Sequence, residues 1–473
     1  MTRQVIISAE EKERGNRALH DLKKVVNHFG ETLRHPPSAC VITFGCQMNA
    51  RDSEKLTGIL ESAGFEVTED EYAADFVLYN TCTVRENADN RLYGRLGRLS
   101  AEKKKKPLMK IAVCGCMMQE DTAVEKLRKS YPYVNLIFGT FNIHRFAELL
   151  LAMFSSERMI VDIWKEAGEV TEDLPVLRKY PFKSGVNIMY GCDNFCSYCI
   201  VPYVRGRERS RTSADILSEV RRLADDGVKE VMLLGQNVNS YGKGLADDIL
   251  FPELLQKVCR VDGIERVRFM TSHPKDLSDD LIRVMSTEET CARHIHLAMQ
   301  SGSNRILEMM NRHYTKEEFL RLTDKIKNAD PDISITTDII VGFPTETYAD
   351  VKETVDVIEK AGFDNAFTFI YSRRSGTPAA KYPLPDDKNE IQKHFDEVLL
   401  AVQETAHKHA ERFVGRTMRA LVEGVNTQDS SLMTGRLSSN SLVHFRGDPN
   451  MTGSFVDVVL DDSHGFYYSG HKI

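Results

Sequence analysis

Short apolar runs alternate with stretches of helical periodicity through the first third of the chain. Arg51–Gly64 is one such helical stretch, and a helix near Ile143–Phe154 ends the pattern. The apolar runs predict strands at Ala39–Gly45, Asp75–Cys82, Lys110–Cys116 and Leu136–Gly139. Alternating strands and helices are typical of a parallel sheet covered by helices. The pattern therefore predicts an N-terminal parallel-sheet α/β domain.

A second, longer alternation follows, with helices such as Ala214–Asp226 and Lys316–Ala329 between the strands. Its predicted strands are Val186–Tyr190, Glu230–Leu234, Arg266–Thr271, His294–Met299, Ser334–Val341 and Ala366–Ile370. Right-handed crossovers would curl six such units into a barrel or partial barrel. In such folds the chemistry lies at the carboxyl ends of the strands. Cys192 comes just after the first strand, which is the expected place for a reactive group.

The pattern changes again after a helix near Lys388–Phe413. Near-alternating polarity, with Gly, Asn and Asp between the runs, predicts strands at Arg416–Glu423, Leu432–Leu437, Leu442–Phe445 and Ser454–Leu460. These strands indicate a small all-β barrel of roughly 60 residues. The predicted segments are a charged extension at 1–36, domains at 37–153, 178–410 and 411–473, and a linker at 154–177 where the chain is acidic and contains prolines.

The composition is ordinary for a globular protein: 473 residues, 42% hydrophobic and 28% charged. No apolar run reaches the roughly 18 residues of a membrane span, and the N-terminus lacks the apolar region of a signal peptide. We therefore expect a cytoplasmic protein without a membrane partner, where thiols stay reduced. The net charge of −7 does not by itself indicate a nucleic-acid binder.

Ten cysteines in such a chain need an explanation. Cys40, Cys259 and Cys291 lie among Ala, Val and Ile and suit buried packing. The loop from Cys192 to Cys199 differs, because its cysteines follow the spacing C-x3-C-x2-C. Three thiolates on one loop can bind three irons of a cubane and leave the fourth iron open for a small molecule. A structural zinc site is the alternative, but no second cysteine pair lies at zinc-finger spacing.

The string GCDNFCSYCIVPYVRGRERSR resembles the signature of the radical S-adenosylmethionine (SAM) superfamily. The I-V-P and R-G-R-x-x-S-R strings after the last cysteine resemble the methylthiotransferase family within it. The resemblance implies a partial (βα)6 barrel and a [4Fe–4S] cluster on Cys192, Cys196 and Cys199 that cleaves SAM. It also places the adenine of SAM near Tyr198, for which local packing is an equal alternative.

A second set of cysteines lies at the predicted strand ends of the N-terminal domain, in FGCQMN, NTCT and CGC. Ends of parallel strands line one ligand crevice, so these thiolates could meet at one cluster. The family resemblance implies an auxiliary [4Fe–4S] cluster on Cys46, Cys82 and Cys116. Cys114, two residues before Cys116, would share its face on a strand and is the alternative ligand.

Polar residues at the strand ends of the middle domain are candidates for contact with SAM. Gly235 and Gln236 resemble the family's glycine motif near the SAM amino group. Gln300 lies at another strand end and Thr337 and Asp338 lie within the fifth strand, and all three could face the barrel mouth. Residues at such positions also cap helices or satisfy loops, which is the alternative for each of them.

Contacts with RNA are predicted in two places. Arg205, Arg207, Arg209 and Arg211 alternate just after the cysteine loop and, if extended, would present one face to phosphates; a solvated basic strand is the alternative. The C-terminal barrel resembles the TRAM domain, which is associated with RNA binding. Its aromatic residues could stack on bases or fill the barrel core: Phe445, Phe466, Tyr467 and Tyr468.

Within the family, GCQMNARDSE, NTCTVRENA and LGQNVNSYG resemble the branch that methylthiolates C2 of N6-isopentenyladenosine at position 37 of tRNA, in the anticodon stem-loop. The resemblance implies that one SAM methylates a sulfur of the auxiliary cluster. A second SAM is then split to a 5′-deoxyadenosyl radical, which removes hydrogen from C2. No side chain acts as acid or base, because the cofactors carry the chemistry.

The remaining partner is an electron donor such as flavodoxin or ferredoxin, while the sulfur source, the oligomeric state and the tRNAs stay open. Two alternatives remain within the family: threonylcarbamoyl-adenosine in tRNA and a ribosomal-protein aspartate. An RNA-binding or assembly protein whose clusters are structural or sense oxygen is the alternative outside it.

Overall fold

The computed structural model describes residues 9–83, 86–166, 174–246, 248–384 and 387–473. The chain divides into two compact units. The first unit comprises Met1–Lys179, Met189–Asp193 and Ile200–Arg211, and the second comprises Tyr180–Ile188, Asn194–Cys199 and Thr212–Ile473. In the described ranges no helix has the length and apolar character that a membrane span needs.

The helices and strands of the described residues are numbered here in chain order. The helices are α1 (Ala9–Leu33), α2 (Gln47–Ala63), α3 (Glu86–Lys105), α4 (Asp121–Ser130), α5 (Phe146–Phe154), α6 (Val201–Arg205), α7 (Ser213–Asp225), α8 (Phe251–Cys259), α9 (Asp279–Thr287), α10 (Asn304–Met309), α11 (Lys316–Ala329), α12 (Tyr348–Ala361) and α13 (Lys388–Ala410). The strands are β1 (Ser38–Thr43), β2 (Glu66–Val67), β3 (Phe76–Thr81), β4 (Lys110–Gly115), β5 (Leu136–Phe138), β6 (Ile160–Asp162), β7 (Lys183–Asn187), β8 (Met189–Tyr190), β9 (Arg209–Ser210), β10 (Glu230–Leu234), β11 (Arg266–Phe269), β12 (His294–His296), β13 (Ser334–Val341), β14 (Asn365–Ile370), β15 (Thr417–Val425), β16 (Leu432–Leu437), β17 (Leu442–Arg446), β18 (Phe455–Ser463) and β19 (Tyr467–Lys472).

The first unit is built on a parallel sheet in the order β2-β1-β3-β4-β5-β6. All six residues of the central strand β3 are buried, as expected where both faces of a sheet are covered. Leu22, Leu60 and Phe146, from α1, α2 and α5, pack in one core cluster with Phe76 of β3. Residues from α3 and α4 pack in a second cluster with Val77. The predicted N-terminal parallel-sheet α/β domain is confirmed.

Two elements of this unit lie where the sequence predicted none. The segment 1–36, expected to be an extension, contains α1, whose Leu22 and Val26 are fully buried. Strand β6 lies inside the predicted linker at 154–177, but it pairs in parallel with β5 and extends the sheet. The short edge strand β6 has only half-buried residues, so it shows little of the apolar character that marks the central strands.

The second unit contains a partial barrel of six parallel strands. One sheet has the order β11-β10-β7 and another β12-β13-β14. Parallel bridges at Val267↔Cys291 and Ser272↔Leu297 join them, so spatial order follows chain order. Strands β10 and β13 begin and end where the sequence predicts. The predicted (βα)6 partial barrel is confirmed.

The C-terminal part of this unit is a closed five-stranded barrel in the order β15-β16-β17-β19-β18, which confirms the predicted small β-barrel. Strand β19 was not predicted, and it closes the barrel between β17 and β18. Phe445 and Tyr468 fill the barrel core, whereas Phe466 and Tyr467 are exposed. Two of the four aromatic residues therefore fill the core, and the other two are exposed, where stacking on bases stays a prediction.

Candidate functional site

Three cysteines follow the carboxyl ends of neighbouring strands in the first unit. Cys46 follows β1, Cys82 follows β3 and Cys116 follows β4. Gly45 shows how closely two of these loops approach. A Cβ atom at this position would lie 2.4 Å from Cys82 Cβ and 2.7 Å from Cys82 Sγ, and the backbone φ is +113°. Only glycine fits there without strain, so its absence of a side chain lets the Cys46 loop lie against Cys82.

Gly115 separates the surroundings of Cys114 and Cys116. Its φ of 101° ends β4, and Cys116 begins the 3-10 turn Cys116–Gln119. Cys114 is fully buried in the sheet core, whereas Cys116 packs with Ile200 and Val204. The expectation that both cysteines share one face is therefore wrong, because the alternation of a strand does not continue through this turn.

The three predicted ligands of the auxiliary cluster lie near one another. Burial raises the pKa of the Cys116 thiol to about 12 although Arg205 acts in the opposite direction, and Cys46 and Cys82 are close enough to raise it further. Asn49 of α2 ties the loops together, since its amide donates to the carbonyl oxygens of Phe44 and Thr81 at 2.9 and 2.8 Å.

Arg205 ends α6 and is buried within this group. Its Nε donates to Cys116 Sγ at 3.0 Å, and its Nη2 donates to Asn49 Oδ1 at 2.6 Å and to Asp52 Oδ2 at 2.8 Å. Burial disfavours its charge, but Cys116 and Asp52 outweigh burial and raise its pKa above the ordinary value. Sequence reasoning missed Asn49 and Asp52, although the Q-M-N string at the start of α2 was visible.

The predicted row of four exposed arginines is not formed. Arg205 lies in a helix and is buried, and Arg211 is buried as well, so neither presents its side chain to phosphates. Arg209 is half-buried in the short strand β9 and donates to the carbonyl oxygen of Arg205 at 3.1 Å. The Arg207 side chain is 70% exposed and lies 3.4 Å from Asp193 Oδ1. Contact with RNA stays a prediction for Arg207 and Arg209.

The loop of the first predicted cluster spans both units, since Cys192 belongs to the first and Cys196 and Cys199 to the second. In the second unit the Cys199 amide donates to the Cys196 carbonyl oxygen at 2.9 Å. The Ser197 hydroxyl donates to the carbonyl oxygen of Met309 at 2.7 Å, which anchors this part of the loop to the end of α10.

Arg312 is a second buried cation beside a predicted cluster ligand. Its Nη1 lies 3.6 Å from Cys196 Sγ, and its Nε donates to Tyr314 Oη at 3.3 Å. It also donates to the carbonyl oxygen of Ala298, which follows β12. Arg312 could not be identified from the sequence, because it lies in a loop with no distinguishing spacing.

Thiolates beside buried guanidinium groups suit iron–sulfur ligation, because hydrogen bonds to sulfur stabilise the negative charge of a cluster. Across the described residues, no three His, Cys, Asp or Glu side chains surround one point as ligands of a single metal ion. The thiolates of a cubane bind different irons and are therefore spread apart. The donor set in the first unit fits such a cluster.

Thr337 and Asp338 of β13, and Gln300 before this strand, were predicted to contact SAM. All three make hydrogen bonds within the fold. Thr337 Oγ1 accepts from the Met299 amide and donates to the Leu297 carbonyl, both at 2.8 Å, so it joins β12 to β13. Asp338 Oδ2 lies 3.2 Å from His296 Nε2. The backbone amide of Gln300 donates to the carbonyl oxygen of Asp338 at 2.7 Å. The backbone φ of Gln300 is +73°. Contact with SAM stays a prediction for these residues.

The other predicted SAM contacts lie in loops. Gly235 is buried and Gln236 half-buried directly after β10. Tyr198 packs against an apolar cluster containing Ile306, Met310 and Phe343, which is the packing role that the sequence left open. Burial raises the Tyr198 pKa well above its ordinary value, so its hydroxyl stays protonated.

Buried polar atoms lie after the ends of β10 and β11, at the mouth of the partial barrel. Among the described residues, His273 Nε2, Ser272 Oγ and both amide atoms of Asn239 are buried without a hydrogen-bond partner. Burial, together with Arg312, lowers the His273 pKa to about 2, so this imidazole stays neutral. Buried polar atoms usually find partners, so this group fits a polar ligand such as SAM. These residues were not predicted from the sequence.

Comparison with known families matches three segments of the chain. Residues 38–139 match the family described as "Uncharacterized protein family UPF0004", residues 186–358 the Radical SAM superfamily and residues 411–473 the TRAM domain. The tRNA-2-methylthio-N(6)-dimethylallyladenosine synthase of Lachnoclostridium phytofermentans is 55% identical, covering 96% of this chain and 98% of the relative. That of Acetivibrio thermocellus is 48% identical, covering 97% and 95%. The chain belongs to this family of radical SAM synthases.

As a radical SAM methylthiotransferase, the enzyme uses SAM and a [4Fe–4S] cluster. Among solved structures, the radical SAM methyltransferase TsrM from Kitasatospora setae, with cobalamin and a [4Fe–4S] cluster bound, aligns with a TM-score of 0.52 at 16% identity. The alignment covers 73% of this chain and 77% of that one. At this identity the likeness shows the fold alone.

Proposed function

We propose that the protein adds a methylthio group to C2 of N6-isopentenyladenosine at position 37 of tRNA. The observation that carries this is the gathering of Cys46, Cys82 and Cys116 at three neighbouring strand ends. A radical SAM enzyme that only cleaves SAM needs one cluster, whereas one that inserts sulfur also needs a donor. The relatives named as synthases of the dimethylallyl nucleoside match nearly the whole chain, which favours this substrate.

Under this proposal Cys192, Cys196 and Cys199 hold the cluster that cleaves SAM, and Cys46, Cys82 and Cys116 hold an auxiliary [4Fe–4S] cluster. The proposed domains remain 37–153 for the auxiliary cluster, 178–410 for the radical SAM core and 411–473 for the TRAM barrel. The match of residues 38–139, 186–358 and 411–473 to separate families supports this division.

The bound cofactors would supply a carbon-centred radical and a transferable sulfur, because an aromatic C–H bond is too strong for side-chain acid–base chemistry. The chain's own residues hold and orient these groups. Arg205 and Arg312 place fixed positive charge beside Cys116 and Cys196. The buried side-chain atoms of His273 and Asn239 offer hydrogen bonds to a polar ligand at the mouth of the partial barrel. The imidazole of His273 is neutral, so it adds no positive charge to that of Arg312.

The proposed partners are the anticodon stem-loop of tRNA and an electron donor such as flavodoxin or ferredoxin. Exposed Phe466 and Tyr467 on the TRAM barrel, with Arg207 and Arg209 near the cysteine loop, are the candidate RNA contacts. A tRNA substrate and strongly reducing chemistry favour a cytoplasmic site of action.

The test is methylthiolation by the reconstituted enzyme. Protein loaded with iron and sulfide anaerobically is incubated with SAM, a reductant and tRNA that carries isopentenyladenosine, and the digested nucleosides are measured by mass spectrometry. We expect the 2-methylthio nucleoside from the parent and from Cys40→Ala, whose cysteine is buried in β1. We expect none from Cys82→Ala. Product only on threonylcarbamoyl-adenosine tRNA or on ribosomal protein, or no product at all, would overturn the proposal.

A further inference from the structure

Arg205 makes three hydrogen bonds that hold its guanidinium in one orientation. Its Nη2 donates to Asn49 and to Asp52, and its Nε donates to Cys116 Sγ, which lies 3.0 Å away. Asn49, Asp52 and Arg205 are at most 5% exposed. A buried carboxylate and a buried guanidinium compensate each other's loss of hydration. Asp52 therefore keeps the charge of Arg205 in place beside the sulfur.

The geometry depends on the shape of the guanidinium group. Its planar fork presents separate donors to separate acceptors, whereas an ammonium group is a point charge on a flexible stem. One arginine can thus bind Asp52 with one nitrogen and Cys116 with another. The protein buries a cation at this position although burial disfavours it, which indicates a role for its charge beside the sulfur.

The reaction of the proposed function leaves an electron at the sulfur donor. A methylthiolate brings two electrons and a carbon radical brings one, while the new C–S bond uses two. The carbon–sulfur bond would form as the bond between sulfur and its donor iron breaks, and the third electron would remain with the iron–sulfur group that released the methylthiolate. The departing sulfur would lose one negative charge and the iron–sulfur group would gain one, so negative charge would move onto the group held by Cys116. A fixed positive charge beside Cys116 Sγ would stabilise that result.

We propose that Arg205 is a positioning residue that raises the reduction potential of the auxiliary cluster through its hydrogen bond to Cys116 Sγ. This inference rests on the proposed function for the identity of the cluster. Arg205 then stabilises the electron left behind when the C–S bond forms. The sequence suggested a phosphate contact for this arginine, but its burial gives it a role at the sulfur instead.

The experiment measures the cluster itself rather than turnover. The full chain carrying Cys192→Ala, Cys196→Ala and Cys199→Ala serves as the parent, so that only the auxiliary cluster is loaded. Iron per chain is counted, and the reduced fraction is followed by electron paramagnetic resonance during a redox titration. In Arg205→Gln we expect the ratio of reduced to oxidised cluster to fall at least about tenfold at the parent's midpoint, a negative shift of about 59 mV. Arg205→Lys should lie between the two.

Two further comparisons separate tuning of the cluster from structural support. Arg268→Gln removes another buried arginine, which pairs with Glu230 in the second unit at 3.0 Å, and should leave the potential unchanged. Arg205→Gln alone would leave the buried Asp52 carboxylate without its arginine. The single variant Asp52→Asn is therefore compared with the double variant Asp52→Asn, Arg205→Gln, in which neither charge is present. The double variant should bind iron like the single variant but keep the more negative potential.

The outcomes distinguish this inference from the proposed function. Iron-loaded Arg205→Gln with the parent's potential overturns the inference and leaves the proposed function standing. If Arg205→Gln loses iron, equal potentials in the two Asp52→Asn chains overturn the inference, and a more negative potential in the double variant supports it. A parent chain that binds no iron through Cys46, Cys82 and Cys116 overturns the proposed function and this inference together.

Discussion

At the residue scale, the glycines at strand ends determine what each neighbouring cysteine can do. Gly115 turns the chain out of β4, so that Cys114 stays in the sheet core while Cys116 reaches Arg205. A Cβ at Gly115 would lie 2.3 Å from the Thr81 carbonyl oxygen, so no other residue fits this turn. Two cysteines with nearly the same sequence position thus have different chemical surroundings.

This difference predicts distinct results for Cys116→Ala and Cys114→Ala. In a chain that lacks the three cysteines of the loop 192–199, Cys116→Ala should lose most of its bound iron, because one of the three ligands is gone. Cys114→Ala should retain the iron and lose about 1 kcal/mol of stability from the vacated core volume. Iron analysis and urea unfolding measure the two effects. Retained iron in Cys116→Ala with loss in Cys114→Ala would reverse the assignment.

At the element scale, helix α1 shows how a charged segment can belong to a core. Its mean composition is polar, but Ala18, Leu22, Val26 and Phe29 recur at spacings of three and four residues and are buried. That spacing places them on one face of a helix. Because the apolar stripe is narrow and the rest of the helix is charged, the sequence of this segment predicts an extension.

The packing of α1 predicts a large effect for one substitution on its buried face. Leu22→Ala should lower the free energy of unfolding by about 2–5 kcal/mol, because a fully buried side chain is removed from the core. Lys24→Ala is the matched control on the exposed face, where Lys24 pairs with Asp21. It should change stability by less than about 0.5 kcal/mol. Equal, small effects in urea unfolding would show that α1 does not contribute to the core.

At the scale of the whole molecule, a hydrogen bond from Arg268 and an ion pair between Lys183 and Glu423 attach the C-terminal barrel to the strands of the partial barrel in the second unit. Arg268 of β11 donates to Glu230 of β10 and to the carbonyl oxygen of Leu437, which ends β16. Lys183 of β7 and Arg436 of β16 both donate to Glu423 of β15. The charges of Glu423 and Arg436 in the C-terminal barrel are thus used within the protein.

Glu423 predicts how the stability of this unit depends on pH. Burial alone would raise its pKa, but Arg436 and Lys183 outweigh burial and lower the pKa to about 2. A folded-state pKa below the unfolded value stabilises the fold at higher pH, and this stabilisation is lost as pH falls from about 4.5 towards 2. The loss should reach about 3 kcal/mol.

Unfolding by urea between pH 6 and pH 3 measures the first part of this loss, about 2 kcal/mol at pH 3. Glu423→Gln should be less stable than the parent at pH 6. The difference between their free energies of unfolding should become smaller as pH falls. Glu253→Gln, at an exposed position on α8, is the control and should keep the parent's pH dependence. A difference in the free energy of unfolding that stays constant with pH would contradict the role given to the Glu423 carboxylate.

The exposed aromatic residues of the barrel make a prediction about tRNA. Tyr467 is 39% exposed and stacks on His464 with a ring distance of 4.6 Å. If it stacks on a base, Tyr467→Ala should weaken tRNA binding by about 1–3 kcal/mol, which filter binding at constant salt would detect. Tyr348, which stacks on His394 at 5.4 Å on α12, is the matched control. Equal affinity of Tyr467→Ala and Tyr348→Ala would exclude Tyr467 as a base contact.

The sequence by itself determined the order of the main helices and strands and the C-x3-C-x2-C spacing of the proposed first cluster loop. Apolar periodicity is a local property, so β10, β13 and β16 were predicted with their observed ends. The spacing of Cys192, Cys196 and Cys199 is also local. The edge strand β6 and the barrel strand β19 were missed, because pairing with other strands stabilises them more than their own residues do.

Only the tertiary structure decided which distant residues meet. Cys46, Cys82 and Cys116 are separated by more than thirty residues from one to the next, and parallel pairing of β1, β3 and β4 brings their loops to one edge. The burial of Arg205 could not be deduced from its neighbours in the chain, because its acceptors come from α2 and from the turn after β4. Long-range contacts of this kind depend on the folded sheet, and they turn an arginine expected at the surface into a partner of Cys116.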